Sequence, residues 1–110
     1  MELVVAVYQA TKPFPKAELF SLTGQMRRAA ISVPSNLAEG FGRRSRIEYV
    51  RFINIALGSL CELQTQIEIA ERLSYLNPGK TEHLAQLTRE TEFLLSRLRQ
   101  KLLTTTPAGK

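Results

Sequence analysis

Residues 25–43, Gln25-Met26-Arg27-Arg28-Ala29-Ala30-Ile31-Ser32-Val33-Pro34-Ser35-Asn36-Leu37-Ala38-Glu39-Gly40-Phe41-Gly42-Arg43, decide the fold. Met26, Ala30, Val33 and Leu37 recur every three or four residues, the period of a helix with one apolar face. Pro34 interrupts that helix: it has no N–H to donate and crowds the carbonyl four residues back, at about 3 kcal/mol. Ser32, Ser35 and Asn36 flank it with side chains that bond locally to backbone. Glu39 or Asn36 is expected to satisfy the backbone that Pro34 frees. Gly40 and Gly42 are expected to end the helix with left-handed backbone, and arginines follow at once.

Outward from this stretch, the punctuation predicts four helices in one domain over residues 1–110: about 2–11, 15–41, 46–76 and 78–103, with a frayed tail over 104–110. Lys12-Pro13-Phe14-Pro15 closes the first helix, and Pro15 suits the first position of the second, where its missing donor costs nothing. Leu19 and Leu22 extend the inner face of that second helix. Ser45-Arg46-Ile47-Glu48 reads as a capping box. Tyr49, Phe52, Ala56, Leu60, Leu63, Ile67 and Ala70 follow as an apolar stripe, widened by Ile53, Leu57 and Leu73. Asn77-Pro78 caps and opens the last helix, whose inner face is read as Leu84, Leu87, Thr91, Leu94, Leu98 and Leu102. Short connections imply antiparallel neighbours, so the expected fold is an all-α, antiparallel up-down-up-down four-helix bundle.

Composition agrees. All ten acidic residues are glutamate, and the hydrophobic share is 44%, which suits helices around a real core. Net charge is +5 and the pI is about 9.8, a balance that favours phosphate-bearing partners. A lone cysteine, Cys61, excludes an internal disulfide and points to a reducing compartment. The start Met1-Glu2 has no basic leader, and the apolar run Leu3 to Tyr8 is far below the ~20 residues of a membrane span. A cytoplasmic protein without membrane contact is expected.

The charges separate along the expected bundle. One end carries Lys12, Lys16, Arg72 and Lys80 against Glu18, Glu68, Glu71 and Glu82. The other gathers Arg43, Arg44, Arg46, Arg51, Arg97, Arg99 and Lys101 against Glu39 and Glu48. Arginine forks suit phosphate, so Arg43, Arg44, Arg46 and Arg51, with Arg99 and Lys101, form the candidate nucleic-acid surface. The competing reading is a solvated loop or pairing with a neighbouring subunit. Arg27 and Arg28 lie three to four turns away on the second helix. Tyr8, Tyr49 and Phe41 can stack on bases, but at helical spacing the first reading is core. Gly58-Ser59 is expected to admit another helix closely, from the same chain or another subunit.

Nothing points to catalysis or to a cofactor. Cys61 sits beside Leu57 and Leu60 and is read as a small buried hydrophobe. His83 is the only histidine and is expected to be exposed. A di-iron bundle needs Glu-x-x-His on two helices, so no metal site is expected. Asn36, Glu39 and Glu62 are read as structural polar groups.

Three blocks carry a resemblance. They are Tyr8-x-x-Thr11-x-x-Phe14-Pro15, the run from Gln25 to Arg43, and Ala56-Leu57-Gly58-Ser59-x-x-Glu62-Leu63. Together they resemble the four-helix bundle protein family over nearly the whole chain. That family includes proteins encoded in 23S rRNA intervening sequences and the accessory variability protein of diversity-generating retroelements. The resemblance implies a ring-like homo-oligomer, a homopentamer. In the retroelement branch it implies a basic barrel that binds nucleic acid and partners a reverse transcriptase. Carried over residue by residue, Arg27, Arg28 and Arg43 become basic-surface candidates. Ser32, Pro34, Asn36, Glu39, Gly40, Gly58, Ser59 and Glu62 become architectural motif positions. The resemblance also implies residues ahead of Glu2-Leu3-Val4. Here the first helix spans only about 15 Å against about 45 Å for the third, so the basic pole should be partly uncovered. The expected function is non-enzymatic binding of structured RNA or a ribonucleoprotein. The alternative is a protein–protein scaffold or accessory subunit without direct RNA binding.

Overall fold

Four helices carry the chain: α1 (Glu2–Thr11), α2 (Leu22–Gly42), α3 (Arg46–Arg72) and α4 (Pro78–Thr104). A short 3-10 turn at Lys16–Glu18 precedes α2. The computed structural model describes residues 1–104, and no strand occurs among them; the expected frayed tail lies outside the described residues from 105 onward. Thr104 itself is helical. Helix α1 packs on α2 and α4, α2 on α3, and α3 on α4. Val7, Met26, Ala30, Ile53, Ala56, Leu60, Leu63 and Leu84 form the centre of the core.

The second helix begins later than its periodicity predicts. Its first turn is closed off because Gly24 receives the returning backbone: a Cβ there would lie 2.8 Å from the Leu19 carbonyl oxygen. Leu19 and Phe20 consequently stand outside the core. Glu18 fixes the break. Its carboxylate accepts from the Ser21 hydroxyl at 2.6 Å and from the Tyr75 hydroxyl at 2.9 Å, and it takes the otherwise orphaned Leu22 amide. Those bonds, Ser21 first, hold the Glu18 carboxyl below its ordinary value and, from the other side, raise the Tyr75 phenol.

Helix α2 runs unbroken through Pro34. The Asn36 amide nitrogen donates to the Ser32 carbonyl and hydroxyl, both at 2.8 Å, and not to the carbonyl of Ala30 that Pro34 deprives. The Ser32 hydroxyl in turn meets the Ser59 hydroxyl of α3 at 2.8 Å. Glu39 takes no part, because its carboxylate is paired with Arg43. The polar motif therefore ties α2 to α3 and does not mend the proline break.

Helix ends depart from the glycine expectation. Neither Gly40 nor Gly42 adopts a positive φ; the left-handed residue is Arg44, at φ 55°. Gly40 has a different role. A Cβ on it would lie 2.7 Å from the Phe52 Cβ, so its bareness is what lets α3 approach α2. Helix α3 stops at Arg72, short of the expected 76, with Ser74 at φ 64°. The Tyr75 amide reaches the Ala70 carbonyl and the Ser74 amide the Glu71 carbonyl, both at 2.9 Å, the Schellman closure. Leu73 is left exposed and Leu76 turns into the core.

Two other expectations change, and a third narrows. In α4 the buried seam passes through Leu84, Leu87, Thr88 and Leu95, while Leu94 is 66% exposed. A step of three from Thr91 to Leu94 falls short of the helical period of about 3.6 residues, and the step of four to Leu95 reaches the seam instead. Cys61 is exposed, one residue and thus about 100° off the seam of Leu60 and Leu63. Gly58 is open as well, with nothing within 4 Å of a Cβ built on it, so within the protomer the approach at this pair is made by Ser59 and not by Gly58. Ser45 and Asn77 cap α3 and α4 as expected, accepting from the Glu48 and Lys80 amides at 3.3 and 2.8 Å.

Gly40→Ala tests the closest approach. The added methyl meets a Cβ and not a flexible chain end, so α3 must shift, and stability should fall by about 1–3 kcal/mol. A denaturant midpoint equal to wild type would show that the helices separate freely at this point.

Candidate nucleic-acid interface

The α2–α3 connection, residues 43–45, is short because Arg44 takes the left-handed turn that α2 needs to end. Arg43 and Arg44 directly follow the negative end of the α2 dipole, where cations are favoured. Arg46 opens α3. Loop chemistry thus concentrates three arginines within four residues.

The structure divides the expected arginines by what they touch. Arg43 and Arg51 both stack on Phe52, their guanidinium carbons 5.2 and 4.5 Å from the ring centre. Each also holds a carboxylate: Arg43 pairs with Glu39 at 2.9 Å and Arg51 with Glu48 at 3.0 Å. The Arg51 bond lowers the Glu48 carboxyl, and the arginine is raised in return. These two arginines brace the loop and carry their own counterions. Arg44 makes no ion pair among the described residues, and with Arg46 it lines a cavity of about 530 Å³. That cavity is also walled by Phe41, Tyr49 and Leu102 and by the glycines of the helix end.

The other candidates lie elsewhere. Arg99 donates to Asn54 of α3 at 2.8 Å, joining α4 to α3 near this pole. Lys101 lines a separate opening of about 680 Å³ on α4 with Arg97 and Phe93. Arg27 is an internal strut: it donates to the Thr11 hydroxyl at 2.9 Å and covers the Tyr8 ring at 4.6 Å. Arg28 borders a polar groove between α2 and α3, with Gln25, Ser32, Ser59 and Glu62. Motif residues therefore gather there, away from the pole.

Sequence reasoning undervalued Phe41. It is 71% exposed, set edge-on to Tyr49 with ring centres 6.0 Å apart. Its flanking Gly40 and Gly42 were the available signal, since side chains on both neighbours would crowd a ring at a helix end. The expected partial uncovering of the pole is also seen. Helix α1 has only 10 residues against 27 in α3, and Phe41, Ile47, Phe93, Leu94 and Leu103 are exposed.

Fold and pole together define a class: a small, basic, all-helical protein with arginines around an apolar cavity at one helix–helix loop. The chain matches the family described as 23S rRNA-intervening sequence protein over residues 1–97, and it belongs to that family. A search among curated proteins gave no match. No helix of the described residues is long and apolar enough to cross a membrane.

Arg44 stands where glycine is the relaxed choice. Arg44→Gly should raise stability, by up to about 1 kcal/mol, because an L side chain is strained in the left-handed region. Thermal or urea unfolding measures this; a loss of stability would mean that the arginine side chain holds the loop.

Proposed function

We propose that the protein is a non-enzymatic, cytoplasmic, homo-oligomeric up-down-up-down bundle that binds structured RNA through the arginines of its α2–α3 pole. The supporting observation is the separation of roles among those arginines. Arg43 and Arg51 hold Glu39 and Glu48 close to themselves, so the carboxylates of this pole are neutralised on the bracing side. Arg44 and Arg46 line an opening with no carboxylate among the described residues of its lining. Such a surface attracts phosphate, and contacts of this kind position an RNA without reading its sequence. The family's description, which ties its members to 23S rRNA genes, is compatible with an RNA-related role. Antiparallel neighbours are supported by the pairing of Ser32 with Ser59 and of Gly40 with Phe52, which runs in opposite directions along α2 and α3.

A second reading has its own support. Phe93 and Leu94 stand exposed on α4, a surface suited to a protein partner such as a reverse transcriptase or to another subunit. In that case the protein is a scaffold or accessory subunit, and the pole charges do not contact RNA.

A salt titration of binding to a structured RNA separates the two. Wild-type affinity should fall with salt by about 0.7 log unit per log salt for each phosphate contacted in a single strand. Arg44→Glu combined with Arg46→Glu should weaken binding and flatten that slope, while helix content stays as in wild type. An unchanged slope removes the pole as the RNA surface and favours the scaffold. Mass measurement in solution should give an oligomer, a pentamer if the family assembly holds; a monomer at micromolar concentration would eliminate the ring.

A further inference from the structure

We infer that the cavity between the end of α2 and the start of α3 receives one unpaired base of a bound RNA, with the phosphate of that nucleotide on Arg44. This rests on the RNA-binding reading above and goes beyond it, because arginines alone would serve a duplex backbone equally well.

Three observations carry it. The first is size and shape. The cavity holds about 530 Å³ and is walled mainly by apolar surface, within the range of small-molecule sites. The second is the pair of rings. Phe41 and Tyr49 meet at 73°, so they do not stack face to face, and Phe41 remains 71% exposed. A Cβ at the adjacent Gly42 would meet nothing within 4 Å, so the end of α2 is open there. The third is charge. Among the described residues, Arg44 and Arg46 are the charged groups of the lining, and the carboxylates of Glu39 and Glu48 are bound by Arg43 and Arg51 outside it.

A flat π-surface beside a cation and away from anions matches the chemistry of a nucleotide: a base for the ring, a phosphate for the guanidinium. A paired base is already stacked on both faces and cannot enter, so the ligand is a loop, bulge or single-stranded end. The phosphate contact fixes register and the ring contact is tolerant of base identity, so little sequence preference is expected.

The test uses the full chain and an RNA hairpin with 2-aminopurine in its loop, alongside a fully paired duplex of similar length. Wild-type binding to the hairpin should change the fluorescence of the probe. Phe41→Ala should remove that change and weaken hairpin binding about tenfold, with duplex binding and the salt slope unchanged. Phe41→Trp should retain the affinity. Arg44→Gln should reduce the slope by about one phosphate contact. Phe41 is exposed, so the alanine variant keeps the fold, and helix content verifies it. If hairpin binding remains salt-dependent but Phe41→Ala binds as wild type, the pocket inference fails while RNA binding stands. If Phe41→Ala instead lowers the oligomer mass without touching hairpin affinity, the cavity receives a second copy and the inference is overturned. Failure of wild type to bind either RNA at low salt defeats the RNA-binding reading itself.

Discussion

Gly40 lies against Phe52 at a distance no side chain would permit, and from that contact the ends of α2 and α3 take their positions. Phe52 is held there by more than packing. Arg43, just past the end of α2, and Arg51, one residue before Phe52 on α3, stack on its ring, and each is anchored by a glutamate of its own helix. About two turns back, Ser32 meets Ser59 and is braced by Asn36. Ala56 is buried between these two contacts, and Ala29 and Ala30 are buried just before Ser32. A close helix pair of this kind is stiff, since interiors are packed near crystal density and relax little.

The connection between the two helices inherits that stiffness. With both helix ends fixed, the chain must reverse in a few residues, and one of them must take a left-handed conformation. That residue is Arg44 and not a glycine, which implies that the surrounding contacts outweigh the local strain. The consequence for function is electrostatic. Two of the arginines are consumed in holding Phe52 and their own carboxylates, and Arg44 and Arg46 border the open cavity. A basic pole that looks uniform in composition is thus divided into a brace on Phe52 and a face that borders the cavity.

The opposite pole uses the same logic with a different group. Glu18 gathers the Ser21 and Tyr75 hydroxyls and the first amide of α2, joining the α1–α2 connection to the α3–α4 connection. Phe14 packs on the Tyr75 ring, with centres 5.2 Å apart. The charges of this pole remain mixed, with Arg72 paired to Glu68 and Arg89 to Glu82. The molecule is therefore locked at both ends but electrically distinct between them.

The number of helices, their caps at Ser45 and Asn77 and the position of the basic pole are legible in the sequence, because each depends on local periodicity or on neighbours within a turn. The candidate site was legible in part: Arg44 and Arg46 stand out as a cluster, whereas the exposure of Phe41 does not. Ring exposure depends on where α4 and α1 leave the pole uncovered, a property of elements distant in the chain. The same limit applies to the ends of α2 and α3, where left-handed backbone falls on Arg44 and Ser74 in place of glycine. Long-range packing imposes those conformations, and a local preference cannot foresee them. Sequence by itself determined a basic four-helix protein. Tertiary structure alone decided which arginines are spent on Phe52 and which face the cavity, because a guanidinium commits to whatever ring or carboxylate folding brings within reach.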